Sequence, residues 1–542
     1  MKKDATKTRR SELSGGPFLL LVFLSIPSTG QAGNFPFEIV HPHTGDTAVV
    51  RHTKAYPGLE YYLEPVAIGG DWPWTAALTN APAGMTVASE IDPLTGMPKI
   101  VIRWPNPTTA GSPHNVTLQM WDSDTDGAGP NDIRETDTVS WTVTVTTDGF
   151  LFLDAVNGND SNPGTPASPK RTINGFFLGS NGDSTYADYF VYFRAGTYTW
   201  VGVPASGSGL PRPGQQITIG TNKPTVWLAY PGDAMPVVDY GYNEGAGSAP
   251  VFVQMDDPYI DGLHFTNSIN HFFRGFSPYA RVLRSKFSNL GPGADGFNSS
   301  GIMSVNTGCT PAVYPNITGC HEYGAITTSE FTDFENASAI KIYSLKYFAF
   351  QLNKVHNFFG TEVEGIALKG GVMYHMDVTG NHVYGVVDRA MNGNWQDIHK
   401  GDFRFNRFHD NGGPRSWFVN QGGSATEIWM YRNTILGRVQ VANVDEVTDG
   451  PFTFSNNVFV NEFSGTPAGS HIEHNNVTQP GRVIISASPN GNLACFGADA
   501  CTDADGNLVG TYTQYLGQKG FEVGPSSPGS PAPAPPRNLR VQ

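Results

Sequence analysis

The chain has 542 residues, of which 15% are charged, and it contains 63 glycines and 40 prolines. This length is enough for two or three domains with large cores, and this composition is typical of a turn-rich all-β protein rather than a helical one. The net charge of −14 excludes broad affinity for nucleic acids and anionic membranes, so an acidic substrate needs a locally basic groove.

Residues 1–32 have the pattern of an export signal. Five lysines and arginines fall within the first ten residues, an apolar run extends from Phe18 to Ile26, and Gly30 and Ala32 supply small residues for cleavage. This run, like every later one, is shorter than the ~18 apolar residues that span a bilayer. We therefore expect a signal peptide, no membrane span, and a secreted, periplasmic or cell-surface protein.

Residues 33–147 are predicted to form a separate β-sandwich. Apolar and polar residues alternate with a period of two in three segments, at 100–104, 116–121 and 139–145. The stretch from Ala81 to Thr86, followed by Asp92-Pro93-Leu94-Thr95-Gly96, resembles bacterial immunoglobulin-like or cadherin-like surface modules. That resemblance implies a spacer or an adhesion unit.

A second fold begins near residue 148. The segment from Phe152 to Thr165, followed by Lys170-Arg171-Thr172-Ile173, resembles the opening of right-handed parallel β-helix proteins of the pectin-lyase-like type. Residues 189–198 match the next strand and turn of that type. The resemblance implies an all-β, right-handed parallel β-helix over 148–523, and it implies no particular activity.

A six-residue phrase, apolar-x-x-Asn/Ser-x-apolar, recurs through the C-terminal half. Its polar position falls at Ser285, Ser329, Asn353, Asn381, Asn406, Asn433, Asn457 and Asn475. Successive positions are 18 to 28 residues apart, except for one interval of 44, which is two periods of 22. Such a period predicts stacked coils that bury one another's apolar faces. We expect the recurring amides to form a structural ladder at a tight turn.

Charged residues cluster on two neighbouring coils. Glu364 precedes Asn381 by 17 residues, and Arg389 precedes Asn406 by 17, so these two side chains are predicted to stack. Lys369 lies 12 residues before Asn381. The same offset on other coils predicts a polar column made of Lys341, Lys369, Asn394, Gln421 and Asp445. We expect this column to face water or a groove.

The same segment resembles the β-helix lyase family that includes chondroitinase B and alginate lyases. Glu362, Glu364 and Lys369 fit its Glu-x-Glu-x-x-x-x-Lys pattern, and Arg389 follows about one coil later. The resemblance implies that Lys369 is the catalytic base and Arg389 the acid. It also implies that Glu362 and Glu364 bind calcium, with Asn336 as the best candidate for a further ligand.

These residue types suit β-elimination on a uronate. Negative charge builds on the uronate carboxylate as the neighbouring proton leaves, and a hard cation neutralises it. A lysine base must be deprotonated although its reference pKa is ~10.4, and adjacent positive charge and desolvation favour that form. The candidate substrate contacts are Lys341, Tyr374, His375, Asn394, Trp395 and His399.

The first interpretation is therefore a monomeric, secreted lyase that cleaves an acidic polysaccharide with calcium. The alternative is a non-catalytic cell-surface β-helix for glycan binding or adhesion, in which Glu364 and Arg389 form a structural ion pair. Glycoside hydrolysis by Asp388 and Asp397 is a weaker third option, because no signature of β-helix polygalacturonases is present.

The four cysteines fit an oxidising compartment as two short loops, Cys309–Cys320 and Cys495–Cys501. Neither pair has the C-x-x-C spacing of a metal-thiolate site. Residues 524–542 are rich in proline, glycine and serine, which predicts an extended linker or a frayed tail.

Overall fold

The computed structural model describes residues 35–43, 51–122, 134–173, 189–199, 226–242, 258–303, 321–361, 363–409 and 425–442, with short gaps inside some ranges, and isolated strands between 217 and 496. The predicted signal peptide, the predicted tail, Cys309, Cys320 and Cys501 lie outside these residues. So does the side chain of Cys495. No helix in the described ranges has the length and apolar character needed to cross a membrane.

Within its described residues, the N-terminal unit contains one short 3-10 helix, Arg51–Thr53, and nine strands. The strands are β1 (Glu38–His41), β2 (Lys54–Ala55), β3 (Tyr61–Leu63), β4 (Val66–Ile68), β5 (Thr75–Asn80), β6 (Thr86–Ile91), β7 (Pro98–Trp104), β8 (His114–Trp121) and β9 (Thr136–Val145).

These strands form a two-layer sandwich. One sheet has the order β2-β9-β8-β5 and the other β3-β7-β6, while β1 pairs with β4. The period-two pattern of β9 buries Val139, Trp141, Val143 and Val145, and these side chains share one apolar core with Trp104 of the other sheet. The sandwich has the period-two strands predicted, and its kinship with immunoglobulin-like modules stays a prediction.

The strands of the second unit follow in chain order. The first group is β10 (Phe150–Leu153), β11 (Phe190–Phe193), β12 (Thr197–Thr199), β13 (Ile217–Ile219), β14 (Val226–Ala229), β15 (Val237–Asp239), β16 (Val253–Met255), β17 (Tyr259–Asp261), β18 (His264–Ser268), β19 (His271–Arg274), β20 (Arg281–Leu283), β21 (Lys286–Leu290), β22 (Ser300–Met303), β23 (His321–Glu322), β24 (Ala325–Thr327) and β25 (Glu330–Glu335).

The second group is β26 (Ser338–Ile342), β27 (Leu345–Gln351), β28 (Lys354–Phe359), β29 (Glu364–Thr379), β30 (His382–Val386), β31 (Arg389–Arg404), β32 (Arg407–His409), β33 (Arg415–Val419), β34 (Ala425–Tyr431), β35 (Thr434–Leu436), β36 (Arg438–Ala442), β37 (Phe452–Ser455), β38 (Val458–Asn461), β39 (Ile472–Asn475), β40 (Val483–Ile485) and β41 (Leu493–Phe496).

These strands stack into a parallel β-helix, as predicted. Among the described residues, 21 strands form one long sheet and 11 form a second sheet, and every pairing within them is parallel. On most coils two strand segments belong to the long sheet and one to the shorter sheet. The strands β29 and β31 run through both segments without a break, over 16 residues each.

Equivalent residues on successive coils stack inside this cylinder. Phe265, Phe287 and Phe331 are register partners, and their rings lie parallel with centroids 5.4 and 4.8 Å apart. Phe334 and Phe358 stack in the same way at 4.6 Å. Each coil thus covers the apolar face of its neighbour, which is why the repeat has no stable core as a single turn.

The predicted side-chain ladder is confirmed from Ser285 to Asn433, at the corner between the long and the shorter sheet. Two details of the repeat prediction are wrong. Ser285 and Ser329 lie on adjacent coils, so the interval of 44 is one long coil and not two periods, and Asn475 lies within β39 and not at this corner. Asn457 lies outside the described residues.

The backbone N–H groups of Ser329, Asn353, Asn381 and Asn406 each donate to the side-chain oxygen of the next ladder residue at 3.0 Å, ending at Asn433. Each asparagine Nδ2 also donates to a backbone carbonyl, as Asn381 does to Phe350 at 2.8 Å. All these side chains are buried, so the ladder satisfies backbone groups that water cannot reach.

The residue before the ladder position has a left-handed backbone on each coil from Ser285 to Asn406. These residues are Arg284, Thr328, Leu352, Gly380 and Phe405, with φ between 45° and 68°, and Gly262 before Leu263 has the same conformation one coil earlier. A non-glycine residue in this region carries a local strain of order 1 kcal/mol, which the surrounding hydrogen bonds must offset. The left-handed residue at this corner is therefore the one before the ladder residue and not the ladder residue itself.

Replacing Asn381 by alanine should destabilise the β-helix. The change removes the acceptor of the Asn353 N–H and the donor to the Phe350 carbonyl, both buried. Leaving such groups unpaired costs about 1–3 kcal/mol each, so we expect a loss of at least ~2 kcal/mol in urea denaturation. The exposed Thr199→Ala substitution is the control, with a change within ~0.5 kcal/mol. Equal stability of the two variants would contradict a structural role for the ladder.

The N-terminal sandwich is packed against the long sheet of the β-helix. Arg404 pairs with Asp377 at 2.5 Å with both side chains buried, and its guanidinium also donates to the carbonyl of Gly70. The N–H of Gly69 donates to Asp377 at 3.2 Å, and Gln351 donates to the carbonyl of Ala67 at 2.8 Å. A buried charge pair of this kind is stable only with such additional hydrogen bonds.

A second buried carboxylate extends this contact along the ladder corner. Glu64 of the sandwich lies 2.5 Å from Lys99 and 4.0 Å from Arg284, and Thr328 donates to it at 2.8 Å. Apolar contacts continue it, with the rings of Trp72 and Phe405 5.0 Å apart. The spacer or adhesion role of the sandwich stays a prediction.

Several histidines in this interface are held neutral. Burial lowers the pKa of His375 to about 3, with a smaller effect from Lys400, and burial also lowers the pKa of His52 to about 3. The pKa of His41 falls well below its ordinary value for the same reason. Unfolded histidines titrate near 6.5, so as the pH falls below 6.5 the unfolded chain binds protons that the folded chain does not. The stability that these groups contribute is therefore complete above pH 6.5 and declines toward pH 3.

We expect the urea midpoint to fall as the pH is lowered from 6.5 to 5, a window above the ordinary range of carboxyl groups. His375→Phe keeps an aromatic ring against Phe35 and removes one titrating group, so its slope should be shallower. Tyr347, the equivalent residue one coil earlier, shows that this left-handed position accepts a large ring. An unchanged slope in the variant would contradict the assignment.

Candidate functional site

The candidate site lies on the outer face of the long sheet, where β26, β29 and β31 are adjacent. Ile366 and Leu368 point into the core, so Lys369, which follows them, points outward. On the next coil Met391 lies in the core and Asn392 does not. This alternation presents polar side chains of two coils on one wall of the cylinder.

Glu364 joins the two predicted catalytic residues. It is the register partner of Arg389, as predicted, and Arg389 Nη1 lies 3.3 Å from its Oε1. Lys369 Nζ lies 3.1 Å from its Oε2. The Glu364 side chain is 3% exposed, whereas Lys369 and Arg389 are 13% and 24% exposed. One buried carboxylate therefore holds two partly accessible cationic groups side by side.

Asn392 is a member of this site that sequence reasoning missed. Its Nδ2 donates to Glu364 Oε1, and its Oδ1 is buried without a hydrogen-bond partner among the described residues. Ser338 lies on β26, one coil before Glu364, and its Oγ is also buried without a hydrogen-bond partner among the described residues. Asn392 could have been found from its place three residues after Arg389, on the same wall.

The prediction that Lys341 is equivalent to Lys369 is wrong. The register pairs Lys341 with Ala367, which pairs with Asn392, while Lys369 pairs with Asn394. Counting back from the ladder residue fails because the two coils differ in length between the register pairs Lys341–Ala367 and Leu345–Met373. The earlier coil has two residues fewer there, in the bend between β26 and β27. Lys341 is fully buried, and Gln421 and Asp445 lie outside the described residues.

Tyr374, His375 and His399 lie elsewhere. Tyr374 is the register partner of His399, five residues beyond Lys369 on β29, which is roughly 16 Å along a strand. His375 stacks on Phe35 of the sandwich at 4.6 Å and on Tyr374 at 4.1 Å. The structure therefore does not bring these three predicted substrate contacts to the Lys369 site.

The remaining predicted residues are only partly described. Asn394 and Trp395 belong to β31, but their side chains lie outside the described set, as does all of Glu362. Asn336 closes a turn, because its Oδ1 accepts from the N–H of Thr361 at 2.8 Å. A side chain at Gly360 would lie 2.2 Å from that oxygen, so glycine is required there.

The described donors do not fit a calcium ion. Calcium takes six to eight oxygen ligands, whereas the Glu364 carboxylate already contacts Lys369, Arg389 and the amide of Asn392. The Asn336 oxygen is engaged in its turn. No cluster of three metal-holding side chains occurs in the described ranges. The calcium ion stays a prediction.

Comparison with known proteins gives distant structural matches. The chain is similar to the GH136 lacto-N-biosidase from Eubacterium ramulus, with a TM-score of 0.27 and 10% identity over 64% of this chain and 68% of that one. It is also similar to ORF18 of Geobacillus virus E2, with a TM-score of 0.19 and 12% identity over 71% and 68%. No family model and no curated protein matches. At these TM-scores the matches assign neither family nor activity, and the class rests on the observed fold, a parallel β-helix protein.

Proposed function

We propose that this protein acts on an acidic polysaccharide at the outer wall formed by β29 and β31, and that it cleaves its substrate by β-elimination. The observation that carries the proposal is the pairing of Lys369 and Arg389 with one buried carboxylate, Glu364, at 3.1 and 3.3 Å. The predicted export signal is consistent with a substrate outside the cell.

Arg389 is the group proposed to bind the uronate carboxylate. Its guanidinium is partly exposed and presents a planar set of donors that matches a carboxylate. Asp388 lies 3.6 Å from its Nε and Glu364 lies 3.3 Å from its Nη1, so two contacts fix its position. Holding the guanidinium in place removes part of the entropy that substrate binding would otherwise cost.

Lys369 is the proposed base. In its amine form it takes the proton beside the uronate carboxylate, the electron pair forms a carbon–carbon double bond, and the glycosidic carbon–oxygen bond breaks. The leaving oxygen then takes up a proton from solvent water, while the Arg389 guanidinium stays protonated and stabilises the negative charge that develops on that oxygen. Glu364 is a positioning residue. It holds both cationic groups and accepts a hydrogen bond from the side-chain amide of Asn392.

The second candidate is glycan binding without cleavage. The closed contacts of Glu364 with both cations favour it, because an ion pair between neighbouring coils also stabilises a fold without any chemistry. The two candidates differ in whether a product forms.

The test uses the purified full chain with polygalacturonate, alginate and dermatan sulfate, each with and without chelator. The lyase proposal predicts an unsaturated product with new ultraviolet absorbance on at least one polymer. Lys369→Ala should lower its rate of formation at least ~100-fold, the size of effect typical of a general base. Lys354→Ala, on the shorter sheet and half-buried, is the matched control and should leave the rate unchanged.

Retention of a polymer without product would support the binding candidate instead. No product and no retention on any of the three polymers would contradict both. Loss of activity on chelation would support the predicted calcium ion, for which Glu362 is one of the predicted ligands.

A further inference from the structure

A cleft of about 440 Å³ lies between the N-terminal sandwich and the β-helix, on a different part of the molecule from Lys369. Tyr62 and Arg103 line it from the sandwich, and Tyr230, Met235 and Arg284 line it from the helix. Arg284 stands at the same corner as Gly380, the residue that follows the strand of Lys369, but three coils earlier. Three coils correspond to roughly 14 Å along the axis.

The walls of the cleft are fixed by ion pairs. Arg284 donates to Asp261 at 2.6 Å, and Arg103 donates to Glu90 at 3.0 Å and to Glu60 at 3.1 Å. The guanidinium groups of Arg284 and Arg103 both lie over the Tyr62 ring, at 3.6 and 4.7 Å. Because these side chains are already ordered, a ligand would not have to order them.

The charges of the cleft balance. Four basic and four acidic side chains line it, so it carries no formal net charge. An anionic or cationic ligand would therefore gain little from it, whereas a neutral ligand with many hydroxyl groups would find donors and acceptors in equal supply. The Arg284 side chain is 33% exposed. Toward other described residues it donates a hydrogen bond from Nε, and it donates none from its two Nη groups.

Apolar surface lies beside these polar groups. Met235 is 44% exposed, and Tyr230 is partly exposed with Arg194 over its ring at 4.3 Å. Asp233, between them in sequence, pairs with the same Arg194 at 2.6 Å. A ring surface next to fixed hydrogen-bonding groups suits a sugar, which has an apolar face of C–H groups and a rim of hydroxyls.

We infer that this cleft is a binding site for a short, uncharged oligosaccharide. The sugar rings would lie against Tyr230 and Met235, and their hydroxyl groups would bond to the free guanidinium nitrogens of Arg284 and to the Arg103–Glu60 pair. The volume falls in the range of about 300–1,000 Å³ that small-molecule sites occupy. The site would serve recognition of a neutral part of a glycan and is separate from the cleavage proposed at Lys369.

Isothermal titration of the full chain tests this inference. The probes are cellotriose, maltotriose and N,N′-diacetylchitobiose, with trigalacturonate as the acidic comparison. At least one neutral probe should bind, and Tyr230→Ala should weaken its binding at least tenfold. Tyr384→Ala is the matched control, since Tyr384 is also partly exposed and stacked, against His356 on the shorter sheet. It should leave the affinity unchanged.

Two further variants keep the inference testable. Met235→Ala changes an exposed side chain, so it should have little effect on folding and should weaken binding severalfold. This variant tests the inference even if Tyr230→Ala does not fold. Lys369→Ala should bind the neutral probe as the wild type does, which separates this site from the proposed active site. Binding of trigalacturonate alone, no binding of any neutral probe, or unchanged affinity in both cleft variants would overturn the inference.

Discussion

The molecule depends on the buried ladder that holds successive coils in register. Each ladder side chain accepts from the backbone of the coil before it and donates to a carbonyl, so a slip of one residue would leave several buried polar groups unpaired at once. With the register fixed, residues far apart in sequence become fixed neighbours. The contact between Glu364 and Arg389 is a direct product of that constraint.

The second determinant is the sandwich that covers part of the long sheet. It contacts different coils of the β-helix, through Gly69 and Gly70 at the Asp377–Arg404 pair and through Glu64 at Arg284, and the cleft lies between the two units. The same packing places His375 against Phe35 and not against a substrate. The wall with Lys369 and Arg389 is separate from these contacts, so the two surfaces are distinct in position.

The repeat predicted the fold, the ladder and the stacking of Glu364 on Arg389, because those features depend only on equal spacing within neighbouring coils. The same counting misplaced Lys341, since it crossed a bend whose length differs between two coils. Asn392 was missed because a single polar residue in a strand carries no signal until its neighbours are known. The place of His375 was beyond prediction, since it depends on a contact with a residue 340 positions earlier.

In a solenoid without other contacts, each coil touches only the coils next to it, so unfolding can begin at any coil and spread from neighbour to neighbour. Here the N-terminal sandwich contacts four residues on different coils, Tyr259, Arg284, Gln351 and Arg404. Local unfolding of one of these coils would break its contacts with the sandwich and so disturb the other coils that the sandwich contacts. The capped stretch should therefore behave as one cooperative unit, and the later turns, which it does not touch in the described residues, should respond to perturbation independently.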